Sequence, residues 1–315
     1  MLTIEVLIII IFIKEVRRMT GILIIDKPER MTSFDVIAKA RRICGEKKCG
    51  HSGTLDPMAT GVMTLLFGGA TGFLNYLPSH DKEYIATLKL GIVTDTLDIT
   101  GKVLEEKEFN VTAEEFTAAA KRFEGEITQL PPMYSAVSVG GERLYDLARK
   151  GIEVDRPERQ VTIQKLEILE ADEADGIYKI DVACSGGTYI RTLVSDIGAA
   201  LGCGAVLTSL RRVKANSFTI SDSVTLEGLE KAKSEEKIDD LLIPVDRALS
   251  EYPEIAVSAA QALRFSNGGA LSLERLRNCK AKGLYRVYSP DNNFLGLGEN
   301  TGGEELKIAK VFVNK

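Results

Sequence analysis

Patterns that would commit this chain to a familiar cofactor are missing. Its 315 residues contain no P-loop, no dinucleotide fingerprint, no His-Glu-x-x-His and no Gly-x-Ser-x-Gly. Histidine occurs only twice. The five cysteines, Cys44, Cys49, Cys184, Cys203 and Cys279, are an odd number without Cys-x-x-Cys spacing. A Cys/His zinc site is therefore not expected, and free thiols in a reducing cytosol are. No apolar run reaches the roughly 20 residues that a bilayer-spanning helix needs. Leu2 to Ile13 is mostly apolar, but its positive charges (Lys14, Arg17, Arg18) follow it, the reverse of a secretory signal. These absences point to a cytoplasmic protein with no membrane partner, whose chemistry needs neither metal nor cofactor. Met19 stands just before the pattern that opens the domain. Residues 1–18 are accordingly expected to be an over-long gene reading or a disordered extension.

Strong positive charge is also lacking. A formal net charge of −5 argues, taken alone, against a nucleic-acid partner. The charge is unevenly spread, however: Glu227 to Glu251 is acidic, whereas Arg41 to His51 is locally basic. Phosphates need a positive patch and not a positive protein. Arg41, Arg42, Lys47, Lys48, Arg149 and Lys150 are the candidate phosphate contacts, set against the bland alternative of solvated helix charges.

What is present reads as α+β. Ile22–Ile25 is a short apolar run closed by Asp26-Lys27-Pro28, a strand entering a turn. Thr32-Ser33 offers an N-cap to a helix carrying Phe34, Val36, Ile37, Ala40 and Ile43. From Cys49 to Gly61 the chain reads as an irregular loop, and Tyr84, Ala86, Leu88 and Leu90 alternate as in a half-buried strand. Thr112 and Glu115 form a capping box, with Val111 and Phe116 at the staple positions. Arg143 to Lys150 reads as a basic helix, and strands are expected at Val161–Leu169 and Ile177–Cys184. Thr188 is placed to cap a helix whose Ile190, Leu193, Val194, Ile197 and Leu201 fall at helical spacing. Ser258 and Gln261 form another capping box, followed by strand-like runs at Leu284–Ser289, Phe294–Gly298 and Leu306–Val313. The last 60 or so residues thus read as a small, mostly β unit. The larger part lacks a clean βαβ alternation, so α+β fits better than a doubly wound sheet.

Local chemistry leaves the site open. Asp56 precedes Pro57 and follows Gly53 closely, which makes a tight turn presenting a carboxylate. An ordinary Asx-type surface turn explains it at least as well. His51 can be a base, a substrate contact or a local hydrogen-bond partner. Tyr189 and Arg191 sit where a Tyr could lie against a planar ligand and an Arg could pair a carboxylate, or where both are merely a rim.

Several motifs together resolve this. Gly21-Ile-Leu-Ile-Ile-Asp-Lys-Pro, Gly50-His-Ser-Gly-Thr-Leu-Asp-Pro-Met-Ala-Thr-Gly, Asp81-Lys-Glu-Tyr and Leu90-Gly-Ile-Val-Thr-Asp-Thr-Leu-Asp occur in order. They are followed by Gly125-Glu-Ile-Thr-Gln-Leu-Pro-Pro-Met-Tyr-Ser-Ala, Arg143-Leu-Tyr-Asp-Leu-Ala-Arg-Lys-Gly, Gly187-Thr-Tyr-Ile-Arg-Thr-Leu and Leu210-Arg-Arg. In this order they resemble the bacterial tRNA pseudouridine synthase B family from Met19 to Val245. The resemblance implies a catalytic domain over 19–250 with a mixed, largely antiparallel sheet and flanking helices. It implies a T-arm-gripping insertion at about 126–159 and, more loosely, a PUA-like β-barrel RNA-binding domain over 254–315. Asp56 matches the family's essential nucleophile and Arg191 its ion-pair partner. Tyr84 matches the tyrosine that stacks on the base and is a possible general base. Tyr189, His51 and Leu210 match further substrate contacts, and Asp98 a site-adjacent acid. The implied reaction converts the uridine at position 55 of the tRNA T-arm to pseudouridine, without a cofactor, in a monomer. The rivals are an enzyme guided by a separate RNA, a non-catalytic tRNA-binding protein and a glycosidase-like hydrolase, the last lacking a firmly placed second carboxylate.

Overall fold

The computed structural model describes residues 19–135 and 137–313; the expected extension over 1–18 lies outside them. The chain begins with β1 (Gly21–Lys27), α1 (Ser33–Cys44), β2 (Cys49–His51), β3 (Thr60–Phe67), a 3-10 segment (Gly68–Tyr76) and β4 (Lys82–Leu90). A hairpin, β5 (Ile92–Thr94) and β6 (Val103–Glu106), leads to α2 (Ala113–Lys121) and β7 (Gly125–Gln129). A second hairpin, β8 (Ser138–Val139) and β9 (Glu142–Arg143), carries α3 (Leu144–Arg149). Then follow β10 (Arg159–Asp172), β11 (Ile177–Cys184), α4 (Ile190–Ala200), β12 (Ala205–Ala215), β13 (Phe218–Thr219), α5 (Leu226–Ser234) and α6 (Val245–Ala248). The C-terminal unit comprises β14 (Glu254–Ala256), α7 (Ala259–Ser266), β15 (Leu271–Ser272), β16 (Gly283–Tyr288), β17 (Phe294–Asn300) and β18 (Glu305–Val311).

The large sheet runs β1-β3-β12-β4-β11-β10-β7, with β2 paired to β3 and β13 to β12. Only β3 and β12 are parallel, so the sheet is mixed and largely antiparallel, as expected. Alternation along β4 puts Tyr84, Ala86, Leu88 and Leu90 into one core with Ile190, Leu193, Val194 and Ile197 of α4. A strand of period 2 and a helix of period 3.6 each show one apolar face, and the two faces close on each other. Phe116, fixed by the Thr112–Glu115 capping box at the start of α2, stacks on Tyr178 with ring centroids 3.8 Å apart.

Two local expectations are corrected. Cys49–Gly61 is not irregular throughout, because Cys49–His51 pairs with β3 and Thr60 and Gly61 already belong to β3. Thr188 does not cap α4; its Oγ1 donates to the Ser185 carbonyl at 2.9 Å, and Tyr189 takes the N-cap position without a side-chain bond. Gly187, at φ +88°, turns the chain so that the Thr188 hydroxyl points back toward the preceding strand end.

Gly61 lies where β3 meets β12, paired with Arg212. Its φ is +102°, and a Cβ there would come within 2.1 Å of the Arg212 carbonyl oxygen. Gly61→Ala is therefore expected to cost at least about 2 kcal/mol, from backbone strain plus displacement of β12. Urea unfolding should register this as a lower midpoint at unchanged m; a midpoint equal to wild type would contradict it.

The C-terminal unit forms a five-stranded sheet, β14-β16-β17-β18-β15, consistent with the expected PUA-like barrel. It is not a loose appendage. Leu297, Phe294, Ala309 and Phe312 pack into the same core as Phe73, Leu77 and Leu249. Tyr76 donates to the Ala309 carbonyl and Tyr252 to the Tyr76 carbonyl, each at 2.9 Å. Removing this unit would uncover that shared core, so truncation is a poor way to isolate its role.

Candidate active site

Asp56 sits in the turn between β2 and β3, and the residues around it explain why that turn has one conformation. Ser33, at the start of α1, makes a reciprocal pair with Leu55: its hydroxyl donates to the Leu55 carbonyl at 2.9 Å and accepts from the Leu55 N–H at 2.8 Å. The Ala59 N–H closes the turn onto the Asp56 carbonyl at 3.0 Å. Lys27, at the end of β1 and wholly buried, donates to the carbonyls of Pro28, Pro57 and Ala59 at 2.9, 3.3 and 2.6 Å. Burial lowers its pKa to about 8, while Asp56 nearby opposes the drop. Arg212, 1% exposed, approaches from β12: its Nε donates to the Val62 carbonyl at 2.6 Å, and its terminal nitrogens reach Gly53 and Thr54 carbonyls at 3.2 and 3.4 Å. Two buried cations thus hold the loop through its carbonyls. Neither was singled out from the sequence, although Lys27 and Arg212 both stood inside the quoted motifs. The signal available was a lysine closing an apolar strand and a second arginine in Leu210-Arg-Arg. The adjacent Arg211 faces the other way and makes a bidentate pair with Asp26 at 2.8 and 3.1 Å.

The opposite wall comes from the start of α4. Arg191 is 4% exposed, and its Nε lies 2.9 Å from Asp56 Oδ2. Its two terminal nitrogens donate to the Thr96 and Tyr134 carbonyls at 2.9 and 2.8 Å, so the guanidinium plane is fixed on three sides. Asp98 stands behind it at 3.9 Å, itself held by Thr96 and Thr100. Gln129, fully buried at the end of β7, clasps the Tyr189 backbone: it accepts from its N–H at 3.0 Å and donates to its carbonyl at 3.2 Å. That clasp also escaped sequence reasoning.

Between these walls is a cavity of about 410 Å³, lined by Asp56, Tyr84, Tyr189, Arg191 and Leu210, with Lys82 and Arg159 near its rim. The volume is in the range of small-ligand pockets and admits a whole nucleotide. Tyr84 enters from β4, directly opposite Arg212 on β12. Burial raises the Tyr84 pKa, so the ring carries a neutral phenol at ordinary pH. Asp56 is also raised, chiefly by burial; Arg191 pulls it down and Asp98 pushes it up. Roughly a third of the Asp56 side chain still faces the cavity, at 35% exposed. The arrangement presents a fixed carboxylate, with a charge-matched arginine behind it, to a planar ligand lying against a tyrosine.

Other expected residues fall outside that cavity lining. His51 accepts from the Gly53 N–H through Nδ1 at 3.2 Å, and burial lowers its pKa. Arg149 covers the Tyr145 ring at 4.4 Å and Lys150 pairs with Glu142 at 3.2 Å, both on the α3 hairpin. Arg41, Arg42, Lys47 and Lys48 lie at the far end of α1 and in the turn beyond it. Among the described residues no cluster of His, Cys, Asp and Glu could hold a metal ion, and no helix is long and apolar enough to cross a membrane.

Comparison with known proteins agrees along the chain. Residues 41–190 match the TruB family pseudouridylate synthase N-terminal domain, and residues 191–250 the tRNA pseudouridylate synthase B C-terminal domain. Residues 253–309 match the C-terminal domain of pseudouridine synthase II TruB. The tRNA pseudouridine synthase B of Clostridium tetani is 43% identical over 297 residues, covering 94% of this chain and all of that one. Its namesake from Chromobacterium violaceum is 42% identical, covering 95% and 96%. A solved Cbf5-Nop10-Gar1 complex contains a chain that superposes with a TM-score of 0.71 at 26% identity, covering 93% of this chain and 85% of that one.

Proposed function

The chain belongs to the TruB family of tRNA pseudouridine synthases, which isomerise uridine in tRNA, and we propose that its target is the T-arm uridine at position 55, with Asp56 as the nucleophile. The observation that carries this reading is the Asp56–Arg191 pair in the wall of a cavity large enough to admit a flipped-out nucleotide.

Isomerisation breaks the N1–C1′ bond and makes a C5–C1′ bond. The C5 proton leaves and N1 gains one, so no atom or electron is added overall. In a folded T-loop the target base is stacked and must be flipped out, which costs a few kcal/mol. Tyr84 and Leu210 offer the surfaces that offset this cost. Asp56 acts as its anion; burial raises its pKa, and Arg191 opposes that rise. Arg suits the position because its planar fork bonds the carboxylate and two carbonyls at once. Tyr84, a neutral phenol, fits stacking better than proton abstraction. The hairpin and helix between β7 and β10 fall within the proposed T-arm grip, and Tyr134 ties that segment to Arg191. The site needs no metal or cofactor for this chemistry.

Tyr84 supports a graded test. Tyr84→Leu removes ring and hydroxyl and should slow single turnover by about 5- to 150-fold, the scale of one base–aromatic stack. Tyr84→Phe should retain most of the rate. A Phe variant as slow as the Leu variant would instead make the hydroxyl the essential part. For the function itself, a T-arm stem-loop incubated with the protein and mapped with a reagent that labels pseudouridine selectively should show it at position 55. Free uracil in its place would favour a hydrolase.

A further inference from the structure

One buried amide has both its ends bonded to the backbone of a single residue in the cavity wall. Gln129, 1% exposed, is the last residue of β7. Its Oε1 accepts from the Tyr189 N–H at 3.0 Å, and its Nε2 donates to the Tyr189 carbonyl at 3.2 Å. No step of the isomerisation uses Gln129, yet the bonds join residues 60 apart in the chain. Tyr189 depends on such support. It occupies the N-cap of α4 without the side-chain bond that Ser, Thr, Asp or Asn supplies there. Among the described residues its hydroxyl has no hydrogen-bond partner and its ring no aromatic neighbour, although Tyr189 lines the Asp56 cavity. Its direction is therefore set by its backbone and not by polar contacts of its own.

Gln129 offers a rigid reference for that backbone. β7 pairs with β10 along its whole length, from Gly125 with Ile163 to Gln129 with Arg159. Gln160 Nε2 donates to Thr128 Oγ1 at 2.8 Å across the same ladder. The Tyr189 carbonyl also accepts from the Leu193 N–H at 3.0 Å, so the clasp continues into the first turn of α4. The amide thus ties the end of a sheet strand to the start of the helix that carries Arg191.

We propose that Gln129 is a positioning residue for the reaction, its amide holding the Tyr189 backbone so that the ring stands against the uridine in the Asp56 cavity. The inference rests on the reading of that cavity as the uridine site. Gln129 is too buried to touch RNA, so it acts on the chemical step through Tyr189. The side chain has to be glutamine for two reasons. Asparagine is one methylene shorter, and glutamate keeps the acceptor for the Tyr189 N–H but turns a carboxylate oxygen on the Tyr189 carbonyl. An apolar chain of equal length leaves a buried N–H unpaired.

The test uses the full chain, whole tRNA and single turnover. Gln129→Met keeps the length and loses both bonds. Its rate at saturating tRNA should fall by about 10- to 100-fold, the effect of a small misplacement, while tRNA affinity stays within about twofold. A glutamine that only braces the fold would lower the urea midpoint and leave this rate unchanged. Gln129→Glu loses only the donor, and its rate should fall by about 2- to 10-fold, the worth of one hydrogen bond. In a cycle with Tyr189→Ala, either Gln129 substitution should cost nothing further, because the ring that it positions is gone. Should the Met variant not fold, the Glu variant carries the same cycle. Wild-type rates in the Gln129 variants, a wild-type rate in Tyr189→Ala, or losses that multiply in the double variant would overturn the proposal. Failure of the wild-type protein to form pseudouridine in tRNA would be a different result, overturning the underlying reading of the cavity.

Discussion

Asp56→Asn is expected to lower pseudouridine formation by at least about four orders of magnitude, the scale on which loss of a covalent nucleophile acts. The amide keeps the shape and can still accept from Arg191 Nε, but it cannot carry the charge that the reaction needs. Affinity for tRNA should stay within a few-fold, because removing a carboxylate from an RNA-facing cavity removes repulsion as well as contact. The variant should also be no less stable than wild type near neutral pH. The Asp56 pKa is raised in the fold, so the folded chain binds this proton more tightly than the unfolded chain does. Ionised Asp56 therefore costs stability above its ordinary carboxylate range, and the cost disappears as pH falls below that range. Single-turnover rates, filter binding and melting at two pH values examine the three statements together. Turnover within about a hundredfold of wild type would remove Asp56 from the chemistry.

Arg191→Lys should be the next most damaging change, even though it keeps the charge. The guanidinium bonds Asp56, the Thr96 carbonyl and the Tyr134 carbonyl in one plane, and an ammonium cannot span all three. A single-turnover rate lower by about 10²–10³ is expected, on the scale of removing one preorganised electrostatic contact. The pH profile separates this role from simple misfolding. Arg191 is the main influence pulling the Asp56 pKa down, against burial and Asp98, which raise it. With that hold weakened, the acid limb of the rate profile should move to higher pH. An acid limb in its wild-type place would mean that Arg191 does not govern the ionisation of Asp56.

The parts of the fold that were legible in the sequence are those decided by neighbours a few residues apart. The capping box at Thr112–Glu115 and that at Ser258–Gln261 depend on residues three apart, and both form. The alternation of Tyr84, Ala86, Leu88 and Leu90 likewise survives as the inner face of β4. Thr188 shows how such reasoning fails. Its type suited a cap, but the backbone at Gly187 turns the hydroxyl to Ser185. The short strand β2 was read as loop because three residues, Cys49 to His51, carry no periodicity of their own. Only pairing with β3 makes them a strand.

The sequence alone determined which residues were candidates for the chemistry. Asp56, Arg191, Tyr84, Tyr189 and Leu210 could be named because motif order carries family information that local physics does not. Local physics by itself left Asp56 as readily an ordinary turn residue. Tertiary structure decided what holds that carboxylate in place. β12 inserts between β3 and β4, bringing Arg212 beneath a loop about 150 residues earlier in the chain, where Lys27 already grips it from β1. It also decided that the C-terminal unit shares a core with the catalytic domain. Such contacts join residues far apart in the chain. Their energies come from burial and from satisfying particular carbonyls, which no short stretch of sequence specifies.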